Sequence, residues 1–293
     1  MTVLFIGVVS HPTSRFAEST GPDGLAQKLA LGLQDAGIDV NVEVNAINAY
    51  EPSMLALDGP AVARSLHAQL RVERHWQAFL RDRMDFGQRV RATGARAQRR
   101  VQESIRFLRP WHGPNRDSSG AKRIRRLINI ELSHFALMRA AAACGSEWTL
   151  IIEDDASAAD LGDCIRGLIG LMNQGPRQPA YVNVSQSFSA SELNVGHLLS
   201  PVADARWQGG TARQLLASSK PVTNTVCAIL YRTSFVKELL QVNDAMPLDP
   251  VIPIDWKLNL ALMVLFEQGV LDAGDCWTVV PAPLDQLSMS PQR

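Results

Sequence analysis

Residues 148–160 read WTLIIEDDASAAD. The apolar run from Trp148 to Ile152 has the length and composition of a buried strand. It stops at three adjacent carboxylates, Glu153, Asp154 and Asp155. In open α/β sheets ligands bind beyond the carboxyl ends of the strands, so such a fold places chemistry at this point. Three carboxylates held together repel one another and lose hydration, and something positive must offset that cost. A hard divalent cation, Mn²⁺ or Mg²⁺, does so through oxygen ligands, commonly one or two carboxylates plus a substrate diphosphate. Alternate strand residues face the same way, so Glu153 and Asp155 are the candidate metal ligands and Asp154 points elsewhere. The plainer reading is a solvated acidic turn, or an N-cap for a helix beginning near Asp160.

Working outward, TVLFIGVV (2–9) reads as a buried strand. GPDGLAQKLALGLQDAG (21–37) reads as a helix with Leu25, Leu29 and Leu33 on one face and Gly37 as its stop. IDVNVEVNAI (38–47) alternates with period two, as a half-buried strand does. This strand–helix–strand opening predicts an α/β protein with a parallel core. Beyond it, KRIRRLINIELSHFALMRAAAACG (122–145) reads as a buried helix ended by Gly145, LGDCIRGLIGLMNQG (161–175) as a helix and AYVNVS (180–185) as a strand. TNTVCAILYRTSFVKELLQ (223–241) reads as strand then helix. VIPIDWKLNLALMVLFEQG (251–269) is a proline-led turn into a helix, and CWTVVPAP (276–283) is a last strand. The Ser-, Gly- and Ala-rich stretch 186–219 is expected to be irregular.

The chain has 293 residues, 46% hydrophobic and 20% charged, with zero formal net charge. These values describe a globular protein read as one domain over 1–293. The neutrality hides an asymmetry. From Arg64 to Arg126 there are 17 basic residues against five acidic ones, within a mostly helical, arginine-rich insertion at about 51–123. It is either a solvated helical face or a contact for a polyanion, an anionic membrane surface among them. No recognised nucleic-acid motif accompanies the arginines, and no nucleic-acid partner is expected. The four cysteines include no CxxC pair, which favours a reducing, cytoplasmic setting over a disulfide framework or zinc site. There is no apolar run of 18 residues, and the N-terminus reads as a first strand, not a signal peptide.

The stretch INIELSHFALMRAAAACGSEWTLIIEDDAS (128–157) resembles the core of glycosyltransferase family 25, which includes lipopolysaccharide and collagen galactosyltransferases. Glu131, Ser133 and His134 match its helix motif, and Glu153, Asp154 and Asp155 its strand-end motif. VCAILYRTSFVKELL (226–240) resembles its strand-plus-helix segment, and Pro253-Ile254-Asp255 its Pro-x-Asp turn. The likeness covers roughly 124–260. The glycine that usually precedes the helix glutamate is absent, and the arginine-rich insertion is longer than the family pattern.

The resemblance implies a GT-A-like fold: a Rossmann-related mixed sheet flanked by helices, here with the arginine-rich helical insertion. It further implies a metal-dependent, inverting transfer of a hexose from a nucleotide sugar, a UDP-sugar, to a glycan or glycolipid acceptor of the cell envelope. The enzyme would be cytoplasmic, peripheral at the inner face of the membrane, with residues 64–126 against anionic lipid. Glu153 and Asp155 would hold the metal. Ser10, Arg15, Glu131, Ser133, His134 and Asp154 are the donor-binding candidates, Arg15 as a diphosphate partner. Asp255 would be the general base, against the plainer role of an N-cap for a helix over 256–268. Trp148, Trp256 and Trp277 would stack on sugar or base, or pack in the core. Two other classes stay open. A metal-dependent nucleotidyltransferase would use the same carboxylates, although no P-loop is present. A degenerate, non-catalytic binding or scaffold protein would act through its arginine-rich arm.

Overall fold

The structure is a computed structural model. It describes residues 2–10, 16, 24–45, 51, 53–55, 58–80, 85–87, 89–90, 93–94, 97–98, 101, 119–174, 178–185, 195–223 and 226–287. Arg15 and much of the arginine-rich segment lie outside the described residues.

In chain order the elements are β1 (Val3–Val9), α1 (Leu25–Asp35), β2 (Asp39–Asn45), α2 (Gly59–Leu80), α3 (Ser119–Cys144), β3 (Trp148–Glu153), β4 (Ala156–Ala158) and α4 (Leu161–Met172). There follow β5 (Tyr181–Asn183), β6 (Leu199–Pro201), β7 (Gln214–Ser218), β8 (Ala228–Arg232), α5 (Thr233–Asp244), α6 (Ile254–Glu267), β9 (Cys276–Val280) and β10 (Leu284–Gln286).

Eight strands form one sheet in the order β2-β1-β3-β8-β5-β9-β7-β6. The opening unit is parallel as expected: β1 pairs in parallel with both β2 and β3. The sheet as a whole is mixed, because β8 runs antiparallel between β3 and β5, and β7 antiparallel to β9. The stretch 186–219, expected to be irregular, carries β6 and β7 in its described part and extends the sheet at one edge.

Period-two alternation along the central strands feeds two cores. Leu4, Ile6, Val8, Leu150 and Ile152 face Leu29 and Leu33 of α1 and Leu168 and Leu171 of α4. Phe5, Val9 and Ile151 face α3, α5 and α6 through Phe135, Leu137, Val236 and Leu258. Each fully buried leucine contributes about 1.5–3 kcal/mol relative to exposure. Gly7 lets α3 approach: a Cβ there would lie 2.8 Å from Ile151 Cδ1 and 3.1 Å from Leu137 Cβ. Trp148 and Trp277 are core residues, fully enclosed.

The first helix of the insertion is docked on this frame. Ala61, Ser65, Ala68, Val72, Trp76 and Leu80 are buried, and their spacing of three and four puts them on one stripe of α2. That stripe lies on α6. Trp76 meets Trp256 edge to face at 5.6 Å and Phe79 meets Phe266 at 5.7 Å. Ser65 Oγ donates to the Val251 carbonyl at 2.5 Å. Among the described residues, no helix is long and apolar enough to cross a membrane.

Candidate functional site

The acidic motif hangs between the ends of two strands. In the parallel register Val9 sits opposite Glu153. The Asp154 N–H donates to the Val9 carbonyl at 2.9 Å, and the Glu153 N–H to the Cys227 carbonyl at 2.7 Å, just before β8. The chain then enters a small two-stranded sheet in which Ala156 sits opposite Gln286. The motif caps no helix: Asp160 caps α4, its Oδ1 accepting from the Asp163 N–H at 2.9 Å.

The three carboxylates go different ways. Asp154 turns toward β1, where its Oδ2 accepts from Ser10 Oγ at 2.9 Å. Glu153 and Asp155 turn toward Cys227, and one ligand atom from each of the three residues falls within 4.8 Å of the others. Asp155 is buried, and Cys227 Sγ donates weakly to its Oδ1 at 3.8 Å. Desolvation pushes the Cys227 thiol far up, and the charges of Glu153 and Asp155 push it the same way. The two carboxylates supply hard oxygen donors and the thiol a soft sulfur, so for a hard cation the carboxylate oxygens are the donor set. That set fits a hard cation such as Mg²⁺ or Mn²⁺ better than a soft one.

Glu153 is steadied from two sides. His134 Nε2 lies 3.4 Å from its Oε1, and Gln286 Nε2 donates to its Oε2 at 3.3 Å. Each carboxylate oxygen retains a further lone pair for a ligand. Such partners orient a carboxylate that binds metal. His134 is enclosed, and its Nδ1 has no hydrogen-bond partner among the described residues.

Glu131 sits one turn before His134 on α3, on the same face. It is not at the surface, where glutamate usually lies: it is buried and paired with Lys257 of α6 at 2.5 Å. Burial raises its pKa, and the charge and hydrogen bond of Lys257 only partly reverse that shift. Ser133 is likewise buried in α3.

Asp255 is half-buried. The sequence places it as the cap of a helix over 256–268, but α6 begins at Ile254 with Pro253 as its N-cap, so Asp255 lies inside the first turn. Its i+4 neighbour on α6 is Asn259. Asn259 holds the backbone of Thr223 from both sides, accepting from its N–H at 3.0 Å and donating to its carbonyl at 3.2 Å. Tyr181 does the same for Val222, and Asn183 accepts from Thr223 Oγ1 at 3.2 Å. This buried network fixes the backbone at Val222 and Thr223.

Cys227, Gln286, Lys257, Asn183 and Asn259 join the site without having been singled out from the sequence. Lys257 and Asn259 do carry a signal there. They stand among the apolar residues Trp256, Leu258, Leu260 and Ala261 of the helix, where a polar side chain must find a partner. Cys227 and Gln286 carry none, since both reach the motif through pairing of strands distant in sequence. No protein-family model matches the chain, and no curated protein matches it.

Proposed function

We propose that this chain is a metal-dependent, inverting glycosyltransferase. It would move a hexose from a nucleotide sugar, a UDP-sugar, to a hydroxyl of a cell-envelope glycan or glycolipid. The observation that carries the reading is the meeting of Glu153 and Asp155 at the carboxyl end of the parallel strands, with Asp154 tied to Ser10 at the end of β1. The resemblance to glycosyltransferase family 25, and with it a GT-A-like fold, supports it from the sequence.

In this reading Glu153 and Asp155 would hold Mn²⁺ or Mg²⁺, with His134 and Gln286 fixing the Glu153 carboxylate. When bound, the cation would supply Lewis-acid neutralisation of charge on the departing diphosphate. Asp154, held by Ser10 at the end of β1, would meet the donor from that side of the motif. Asp255 accepts the proton of the acceptor hydroxyl as that oxygen attacks the anomeric carbon. The arginine-rich segment would hold the enzyme at the inner face of an anionic membrane.

Thermal unfolding with a panel of nucleotide sugars, in Mn²⁺, Mg²⁺ or EDTA, tests the reading. A ligand that binds only the folded state raises the melting temperature by mass action. A metal-dependent rise with one UDP-sugar, lost in Asp155→Ala, is the expected result. No rise with any nucleotide sugar overturns it in favour of a non-catalytic binding protein.

A further inference from the structure

We infer that the cleft between α2, α6 and the 246–252 segment binds a phosphate ester, and that it is the acceptor subsite of the transferase. The second half rests on the function proposed above; the first does not.

The cleft has a volume of about 430 Å³, within the range of small-molecule sites. One wall is cationic. Arg64, His67 and Arg71 line it from α2, and a spacing of three and four puts them in one row along the helix. The floor is apolar, made by Ala68, Val72, Ile252 and Leu260. Glu131 and Lys257 also line the cleft.

Charge separates these groups. Lys257 is neutralised by Glu131 at 2.5 Å, and Arg64 is shared with Asp249 at 3.1 Å. Arg71 has no ion-pair partner among the described residues. A guanidinium fork matches two phosphate oxygens, so Arg71 is the primary anion contact, with Arg64 and His67 completing the set. The apolar floor suits the C–H face of a sugar ring or the first carbons of a lipid. A concave, bounded site admits one ester group at a time, which a flat contact with a bilayer does not require.

Position links the cleft to the acidic motif. Glu131 lines the cleft, and His134, one turn along α3, touches Glu153. In the transferase reading, the cleft and the acidic motif are thus held by the same helix, α3.

The test is calorimetry on the full chain without added metal, using inorganic phosphate, glucose 6-phosphate, a short-chain phosphatidic acid, and glucose as the uncharged control. The phosphate esters should bind and glucose should not. Arg71→Ala should weaken binding about tenfold or more, and Arg71→Lys should restore only part of it. Arg71 is exposed, so these variants should keep the parent melting temperature. The tighter of the sugar and lipid esters assigns the source of the phosphate. Absence of binding at millimolar concentrations, or equal binding by Arg71→Ala, overturns the inference. Asp155→Ala separates the two readings. It should retain ester binding while losing any metal-dependent response to nucleotide sugars. Ester binding that depends on Arg71 in a chain that ignores nucleotide sugars would leave the phosphate site standing and remove the transferase.

Discussion

The Lys257 ammonium and the Glu131 carboxylate meet at 2.5 Å with both residues 5% exposed or less. The pair pins α6 to α3 and so couples the helix carrying Asp255 to the helix carrying His134. A buried ion pair adds little net stability against an apolar pair, but breaking it leaves a bare charge. Lys257→Met should therefore cost about 3–5 kcal/mol in denaturant unfolding at neutral pH, and Glu131→Leu combined with Lys257→Met should recover most of that loss. The single variant should also regain stability on acidification. Burial raises the Glu131 pKa in the folded state, so the folded chain takes up the proton first as pH falls, and protonation relieves the penalty. Parent-like stability of Lys257→Met at pH 7 would contradict the role given to the pair.

A second buried carboxylate titrates with the opposite sign. Asp163 is fully enclosed. It accepts from the Thr211 N–H at 2.7 Å, Arg213 Nε at 3.0 Å and Trp207 Nε1 at 3.3 Å. Desolvation pulls its pKa up, but these donors and the arginine charge outweigh it and hold the carboxyl below its ordinary value. Its stabilisation is thus complete above the unfolded pKa, about 3.9, and is lost as pH falls through the lower folded value. Arg213→Ala should cost about 3–5 kcal/mol at pH 7, and the gap from the parent should narrow below about pH 4. Gly167→Ala should disturb the same cluster, because a Cβ there would lie 1.9 Å from Trp207 Cζ2. A gap for Arg213→Ala that is flat with pH would remove Asp163 from the account.

Much of the frame is legible in local pattern. The leucines at 25, 29 and 33, the stop at Gly37 (φ 82°) and the run into Glu153 each declare an element without help from distant residues. The carboxylates of the site are legible for the same reason: they end a strand, and alternation separates Asp154 from its neighbours. What local pattern cannot supply is pairing order. That β8 inserts between β3 and β5 is decided by contacts across the chain, and it is this insertion that brings Cys227 to Asp155. Likewise β6 and β7 escape notice in a Ser- and Gly-rich stretch because their stability comes from the edge they join, not from their own propensity.

The thiol beside the acidic motif gives a test of metal type. If the site serves a hard cation, Cys227 is a neighbour and not a ligand, because such ions take oxygen donors in preference to sulfur. Cys227→Ser should cost about 1–3 kcal/mol of stability for placing a hydroxyl in an enclosed position. The melting-temperature response to Mn²⁺ or Mg²⁺ with nucleotide sugar should persist. Asp155→Asn should abolish that response, since it removes an anionic oxygen from the pair. Retention of the response in Asp155→Asn together with its loss in Cys227→Ser would place the thiol among the ligands and point to a softer metal.

Asp255 is the candidate proton acceptor. It lies in the first turn of α6, one turn before Asn259, whose side chain clamps Thr223 on the way to Cys227. The position is rigid for reasons independent of Asp255 itself: Pro253 precedes the helix, and Lys257 and Asn259 anchor it at two points. Asp255→Asn is nearly isosteric and keeps a polar group in the first turn, so folding should be little changed, while the ability to accept a proton is lost. Turnover should fall by about 10²–10⁴, with the metal-dependent thermal response to the nucleotide sugar intact. The role of an anion that merely complements the helix dipole predicts something else: a loss of about 0.3–1 kcal/mol of stability and no loss of turnover. Measuring kcat and melting temperature on the same preparation separates the two, because one role moves the rate and the other moves only the transition.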